Sequence, residues 1–151
     1  MEEVTLRPIT LSDTDLIVRW RNSDAVRLNM LNQRILTAEQ HWNYYHQFVK
    51  QGHIVQYIIE IKTLPIGTVF YKKNDETIEL GIFIGEDGYR GNGYGRIALS
   101  WILTEIKTNY LFKSIIVKVR SSNIRAIRLY ESLGFSYLSE IADDIVEMRL
   151  I

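Results

Sequence analysis

Two hydrophobic periods divide the chain: windows that alternate apolar and polar residues, and windows in which apolar residues recur every three or four positions. Residues 4–10 alternate and predict a first strand, which Pro8 places near a sheet edge or strand end. Residues 14–21 put Leu16, Ile17 and Trp20 on one helical stripe, with Ser12 and Asp13 as candidate N-caps. Residues 22–36 are mixed and predict irregular chain with room for a helical turn. Thr37-Ala38-Glu39-Gln40 matches a capping box, so a second helix runs to about residue 51, ahead of Gly52. Strands over 54–62 and 66–72 follow, joined by a turn containing Pro65, and the turn Asn74-Asp75-Glu76 leads into a strand over 77–84. Leu99, Ile102, Leu103, Ile106 and Tyr110 then share one face of a helix. The β-branched run 114–119 suits a buried parallel strand, and residues 122–133 a helix closed by Gly134. Residues 135–140 and 145–150 form a terminal hairpin turning through Ala142-Asp143-Asp144. The fold class expected is α+β, with an α/β portion: a mixed sheet of about seven strands, helices on both faces, and one domain over residues 1–151.

Composition narrows the function classes. A chain of 151 residues with 46% hydrophobic and 24% charged residues is long enough to bury one core. The formal net charge of zero gives no overall drive to coat nucleic acid. With no cysteine, disulfides, thiolate metal sites and a cysteine nucleophile are excluded. His41, His46 and His53 have no metal-ligand spacing, so no metal is expected. The acidic start MEEVTLRPIT is unlike a secretory signal, and no window has the length of a membrane span; a cytoplasmic enzyme is expected.

The chemistry concentrates between the strand at 77–84 and the helix after it. There Tyr89-Arg90-Gly91-Asn92-Gly93-Tyr94-Gly95 forms a glycine-spaced segment between strand and helix. That order aims backbone N–H groups and the positive end of a helix dipole at one small volume, which favours a phosphate or pyrophosphate. No Walker A string is present. A dinucleotide fold would want an acidic residue about twenty positions on. Residues 106–130 contain no Asp or Glu and instead carry Lys107, Lys113, Lys118, Arg120, Arg125 and Arg128, which suit a ligand with further phosphates.

Arg90-x-x-Gly93-x-Gly95 resembles the acetyl-coenzyme A pyrophosphate loop of the GNAT superfamily of N-acyltransferases. Asn123-x-x-Ala126-x-x-Leu129-Tyr130-x-x-x-Gly134-Phe135 resembles that superfamily's second cofactor segment, and the framework covers nearly all of the chain. The resemblance implies the GNAT fold, acetyl-CoA as co-substrate, and direct transfer of an acetyl group to an amine. It assigns cofactor holding to the backbone N–H groups of Arg90, Gly91, Asn92, Gly93, Tyr94 and Gly95 and to the Arg90 side chain, with Arg96 an exposed helix arginine. It assigns carbonyl polarisation to the backbone of Ile82, Phe83 and Ile84, on a strand splayed from its parallel neighbour. Asn123 is expected to cap its helix and contact the cofactor, and Tyr130 to protonate the departing thiolate. Glu79, on the face shared with Gly81, is the candidate general base, with a solvated strand position as the alternative.

The N-terminal half carries acceptor choice. Trp20-Arg21-Asn22 and Glu39-Gln40-His41-Trp42 resemble the branch holding ribosomal-protein N-terminal acetyltransferases, and more closely enzymes that acetylate a nucleotide-linked 4-amino-sugar, as in pseudaminic acid synthesis. Arg21 would then face a diphosphate, with Met30, Tyr44 or Tyr45 offering surface to the ligand; Trp20 reads as core and His41 as a surface residue. The partner expected is a small-molecule amine, with no nucleic acid and no membrane, and a homodimer is left open. A protein N-terminal acetyltransferase and a non-catalytic acetyl-CoA-binding module are the alternatives.

Overall fold

A computed structural model describes residues 3–150. Seven strands form one mixed sheet in the order β1-β2-β3-β4-β5-β7-β6. They are β1 (Val4–Pro8), β2 (Ile54–Ile61), β3 (Leu64–Asn74), β4 (Thr77–Ile84), β5 (Ser114–Arg120), β6 (Phe135–Ala142) and β7 (Ile145–Leu150). The helices are α1 (Thr14–Asn22), α2 (Asp24–Arg27), α3 (Ala38–Tyr44), α4 (Tyr94–Asn109) and α5 (Ile124–Ser132). The GNAT layout expected from the sequence is therefore the one observed.

Local chemistry explains the boundaries. Thr37 caps α3 as expected: its hydroxyl accepts from the Gln40 N–H at 3.1 Å, and the Gln40 side chain accepts from the Thr37 N–H at 3.0 Å. That helix then widens into a π-turn over Tyr45–Val49. Asp13 stands at the N-cap of α1, one of the two expected positions, but its side chain makes no bond to that helix. Thr10 opens a short 3₁₀ turn, Leu11–Asp13, and the Asp13 carboxylate reaches back to the Thr10 N–H and to Arg7. Pro65 lies inside β3 and not in the turn before it; Lys62 and Thr63, both at positive φ, make that turn. Pro65 stands at the end of β3 where β4 no longer pairs with it, and next to Ile66, the extra residue of a bulge at which the β2–β3 register shifts.

Alternation on β2 divides the core. Ile59 belongs to the cluster of Val69, Leu99, Ile102 and Ile106 under α4, whereas Ile58 packs with Ile9, Ile17 and Trp20 under α1. Each such aliphatic side chain contributes roughly 1.5–3 kcal/mol on burial. Trp20 is core, as expected, and its indole N–H donates to Glu86. Tyr45 packs against this second cluster and is not an acceptor-side surface.

Candidate active site

The seam that defines the site lies between β4 and β5. These parallel strands pair only from Thr77↔Ser114 to Leu80↔Val117, so Gly81, Ile82, Phe83 and Ile84 keep β3 on one side and have no strand on the other. Every second N–H and C=O of that half-strand faces the gap.

One cavity, of about 370 Å³, opens along this gap. Its walls include Ile82, Phe83 and Ile84, the loop residues Arg90, Gly91, Gly93, Tyr94 and Gly95, and Asn123, Arg125 and Ala126. Gly91 and Gly93 have φ of 76° and 87°, a left-handed conformation that glycine adopts without Cβ strain. Gly93 is the N-cap of α4, and the first N–H to find a helical carbonyl is that of Ile97, 3.2 Å from Gly93 O. The N–H groups of Tyr94, Gly95 and Arg96 are thus left at the positive end of a sixteen-residue helix, beside the half-strand.

Two loop side chains depart from expectation. The Arg90 guanidinium was expected to hold a phosphate; it is turned into its own loop, donating to Ile84 O at 2.9 Å and Gly85 O at 3.1 Å and pairing with Asp87. It braces the end of β4. Asn92 donates to Gly88 O at 2.9 Å and is outside the cavity wall. The Arg125 guanidinium, from α5, lies 3.8 Å from where a Cβ on Gly91 would stand, and Arg125 lines the cavity. Arg96 is exposed and contacts Ser132.

The basic run read from sequence is otherwise dispersed. Lys113 pairs with Glu76 at 2.8 Å and Lys118 with Glu79 at 3.3 Å. Arg120 donates to Met30 O and Leu31 O at 2.7 and 2.9 Å.

A second cavity, of about 410 Å³, adjoins the first and shares Asn29, Met30, Ile82, Phe83, Asn123 and Ala126 with it. Glu79 and Tyr130 both line it. Glu79 is buried, so the solvated-strand alternative does not hold; its carboxylate stands against Lys118 of β5. Tyr130 is buried on α5, edge-on to Phe135 at 5.7 Å, and burial, with the Glu79 charge, pushes its phenol well above the ordinary tyrosine value. Asn123, Ala126 and Tyr130 fall on one face of α5 by helical spacing. The Asn123 Oδ1 caps the helix by accepting from the Ala126 N–H at 3.3 Å, which leaves its amide N–H groups for a ligand.

The far wall of this chamber comes from the N-terminal half. Arg21, Met30 and Tyr44 line it as expected, and so does His41, which is 2% exposed and not a surface residue. Sequence reading missed the floor. The Tyr44 hydroxyl donates to Gln56 at 2.6 Å, and the Gln56 amide donates to Thr68, whose hydroxyl donates to Tyr57 O. Phe70 was missed as well; it lies across Gly81, where any Cβ would come within 2.2 Å of the ring. Gly81 therefore keeps the chamber's inner wall flat.

The chain matches the family described as Acetyltransferase (GNAT) domain over residues 3–136. A curated relative, an uncharacterized protein of Methanocaldococcus jannaschii, is 29% identical over 136 residues, which cover 88% of this chain and 28% of that protein. The chain thus spans little more than a quarter of that relative's length. The crystal structure of a domain from Methanocaldococcus jannaschii has a TM-score of 0.90 and 26% identity, covering 99% of both chains. Two further structures share the fold at lower identity. AAC(6')-Ib in complex with ribostamycin and coenzyme A has a TM-score of 0.85 at 20% identity, covering 99% of this chain and 93% of that one. Spermidine N-acetyltransferase from Vibrio cholerae, in complex with CoA and spermine, has a TM-score of 0.86 at 19%, covering 97% and 94%.

Proposed function

The chain belongs to the GNAT acetyltransferase family, and from that premise we propose that it transfers an acetyl group from acetyl-CoA directly to a primary amine, with a nucleotide-linked 4-amino-sugar as acceptor. The observation that carries the transfer is the shared wall: a chamber floored by free helix N–H groups and an unpaired half-strand opens onto a second chamber that holds Glu79 and Tyr130. The N–H groups of Gly91 to Arg96 suit the coenzyme's pyrophosphate, and the free edge of Gly81–Ile84 suits its pantetheine amides. An N–H of that same edge polarises the thioester carbonyl and stabilises the oxyanion.

Bond changes then balance with two protons. The amine nitrogen bonds to the carbonyl carbon and the carbon–sulfur bond breaks. The proton leaving nitrogen goes to Glu79, directly or through water, and sulfur takes the Tyr130 proton. Burial weakens Tyr130 as an acid, but a thiolate in the same desolvated seam is a stronger base for the same reason. Glu79→Gln is expected to lower kcat and to change its pH profile; an unchanged profile would remove Glu79 from the reaction.

Charge supports the acceptor class. The second chamber carries the basic side chains of Arg21, Lys72 and Lys118 against the single carboxylate of Glu79. Aminoglycosides and polyamines, which accompany the structures of like fold, are polycations and suit such a wall poorly. A diphosphate suits it well. The direct test follows thiol release from acetyl-CoA with nucleotide-linked 4-amino-sugars, peptides with free N-termini, spermidine and kanamycin. Saturable release with the amino-sugars alone is expected. Release with peptides alone would move the protein to the N-terminal acetyltransferase class, and release with polycations alone would overturn the charge argument.

A further inference from the structure

We propose that His41 is a specificity-determining residue of the acceptor chamber which, beside Arg21, takes up a proton from solvent as an anionic group of the acceptor docks there. The inference rests on the reading of the acceptor as an anionic amine. Its geometric basis is a pair of unmet polar groups in one wall. His41 is 2% exposed, lines the chamber, and its Nε2 has no hydrogen-bond partner. Arg21 lines the same wall, its buried Nε is likewise unpartnered, and the guanidinium has no ion pair or hydrogen bond among the described residues. Buried polar atoms left unpaired are costly, and two of them in the lining of one chamber mark a place where a ligand completes the bonding.

The surroundings define the charge state. The Arg21 charge on α1 acts on His41, Asp13 lies on the turn before α1, and the Tyr44 ring of α3 itself is tilted against the imidazole with centroids 5.7 Å apart. Across the chamber stand Lys72, Glu79 and Lys118. Burial and the Arg21 charge keep the imidazole neutral when the chamber is empty of anion, and Asp13 opposes them weakly because its carboxylate is already bonded to Arg7 and the Thr10 N–H. A phosphoryl group between Arg21 and His41 reverses that balance: it offsets the guanidinium charge and accepts a hydrogen bond from the imidazolium. One proton is taken up for each anion bound, and none is released to the reaction itself.

Calorimetric titration of the full chain, saturated with CoA so that the first chamber is filled, with UDP as the probe, tests this. Repeating the titration near neutral pH in buffers of differing ionisation enthalpy counts protons. Net uptake approaching one per UDP is expected, with affinity falling by up to about tenfold per pH unit as pH rises between the free and bound pKa values. His41→Gln is expected to abolish the uptake and weaken UDP several-fold without moving KM for acetyl-CoA. UDP binding by the unaltered protein with no buffer dependence overturns the inference, as does uptake undiminished in His41→Gln; the first of these needs no variant to fold. Failure of the acceptor reading looks different: no UDP binding, with turnover of spermidine or peptides.

Discussion

The free Tyr130 phenol is protonated at neutral pH, because burial and then the Glu79 charge raise it above the ordinary tyrosine value. Tyr130→Phe keeps the packing against Phe135 and removes only the donor, so kcat should fall roughly 10²-fold with KM for acetyl-CoA nearly unchanged, measured by thiol release. His41 has a consequence for stability that is separate from binding. Its folded pKa lies below the ordinary value of 6.5, chiefly through burial. Between those two values the unfolded chain holds more protons, so stability is complete above about pH 6.5 and is lost as pH falls through the folded value. Thermal melts across that window should slope in the unaltered protein and flatten in His41→Gln. The residue was readable in principle: His41, Tyr44 and Tyr45 stand at i, i+3 and i+4, an inward stripe that runs from α3 into the π-turn, whereas a lone histidine judged by type alone reads as surface. Arg90 misled in the opposite sense. Its motif position is right, but no sequence pattern shows that Ile84 O and Gly85 O lie within the reach of its guanidinium.

At the scale of elements, the β4–loop–α4 unit was legible because its signals are local: a strand run, glycines that permit positive φ, then a helical stripe. Adding a Cβ at Gly93, where φ is 87°, costs about 1–2 kcal/mol of backbone strain, so Gly93→Ala should raise KM for acetyl-CoA while acceptor binding is retained. Gly81→Ala should do the converse. Its Cβ would displace Phe70, at a cost of about 1–3 kcal/mol in stability, and the acceptor KM should rise more than that of acetyl-CoA. Comparing the two KM values in each variant checks both. The turn at Lys62 and Thr63 was misplaced onto Pro65 because the pairing that puts Pro65 in β3, and the bulge beside it, depend on β2, which lies outside any local window.

The whole molecule assembles its two chambers from distant stretches of chain, and this is where sequence reading ran out. Residues 107–128 look like one basic ligand patch, yet Lys113, Lys118 and Arg120 are committed to Glu76, Glu79 and the carbonyls of Met30 and Leu31. Arg120 thereby pins the segment that roofs both chambers to the end of β5. Arg120→Gln should leave the melting temperature within a few degrees while lowering kcat/KM for both substrates by roughly tenfold, a signature of misplaced walls and not of lost chemistry. The parting of β4 from β5 has a reach of its own. A sheet that stops being a sheet for four residues holds a slot one strand wide, and the molecule that fills it takes over the role of the missing neighbour. The amides of Gly81 to Ile84 then become reporters: those that face the gap should trade hydrogen for deuterium quickly in the unliganded protein and slowly once CoA is bound. Occupancy of the slot would be visible in an isotope measurement that needs no acceptor and no turnover.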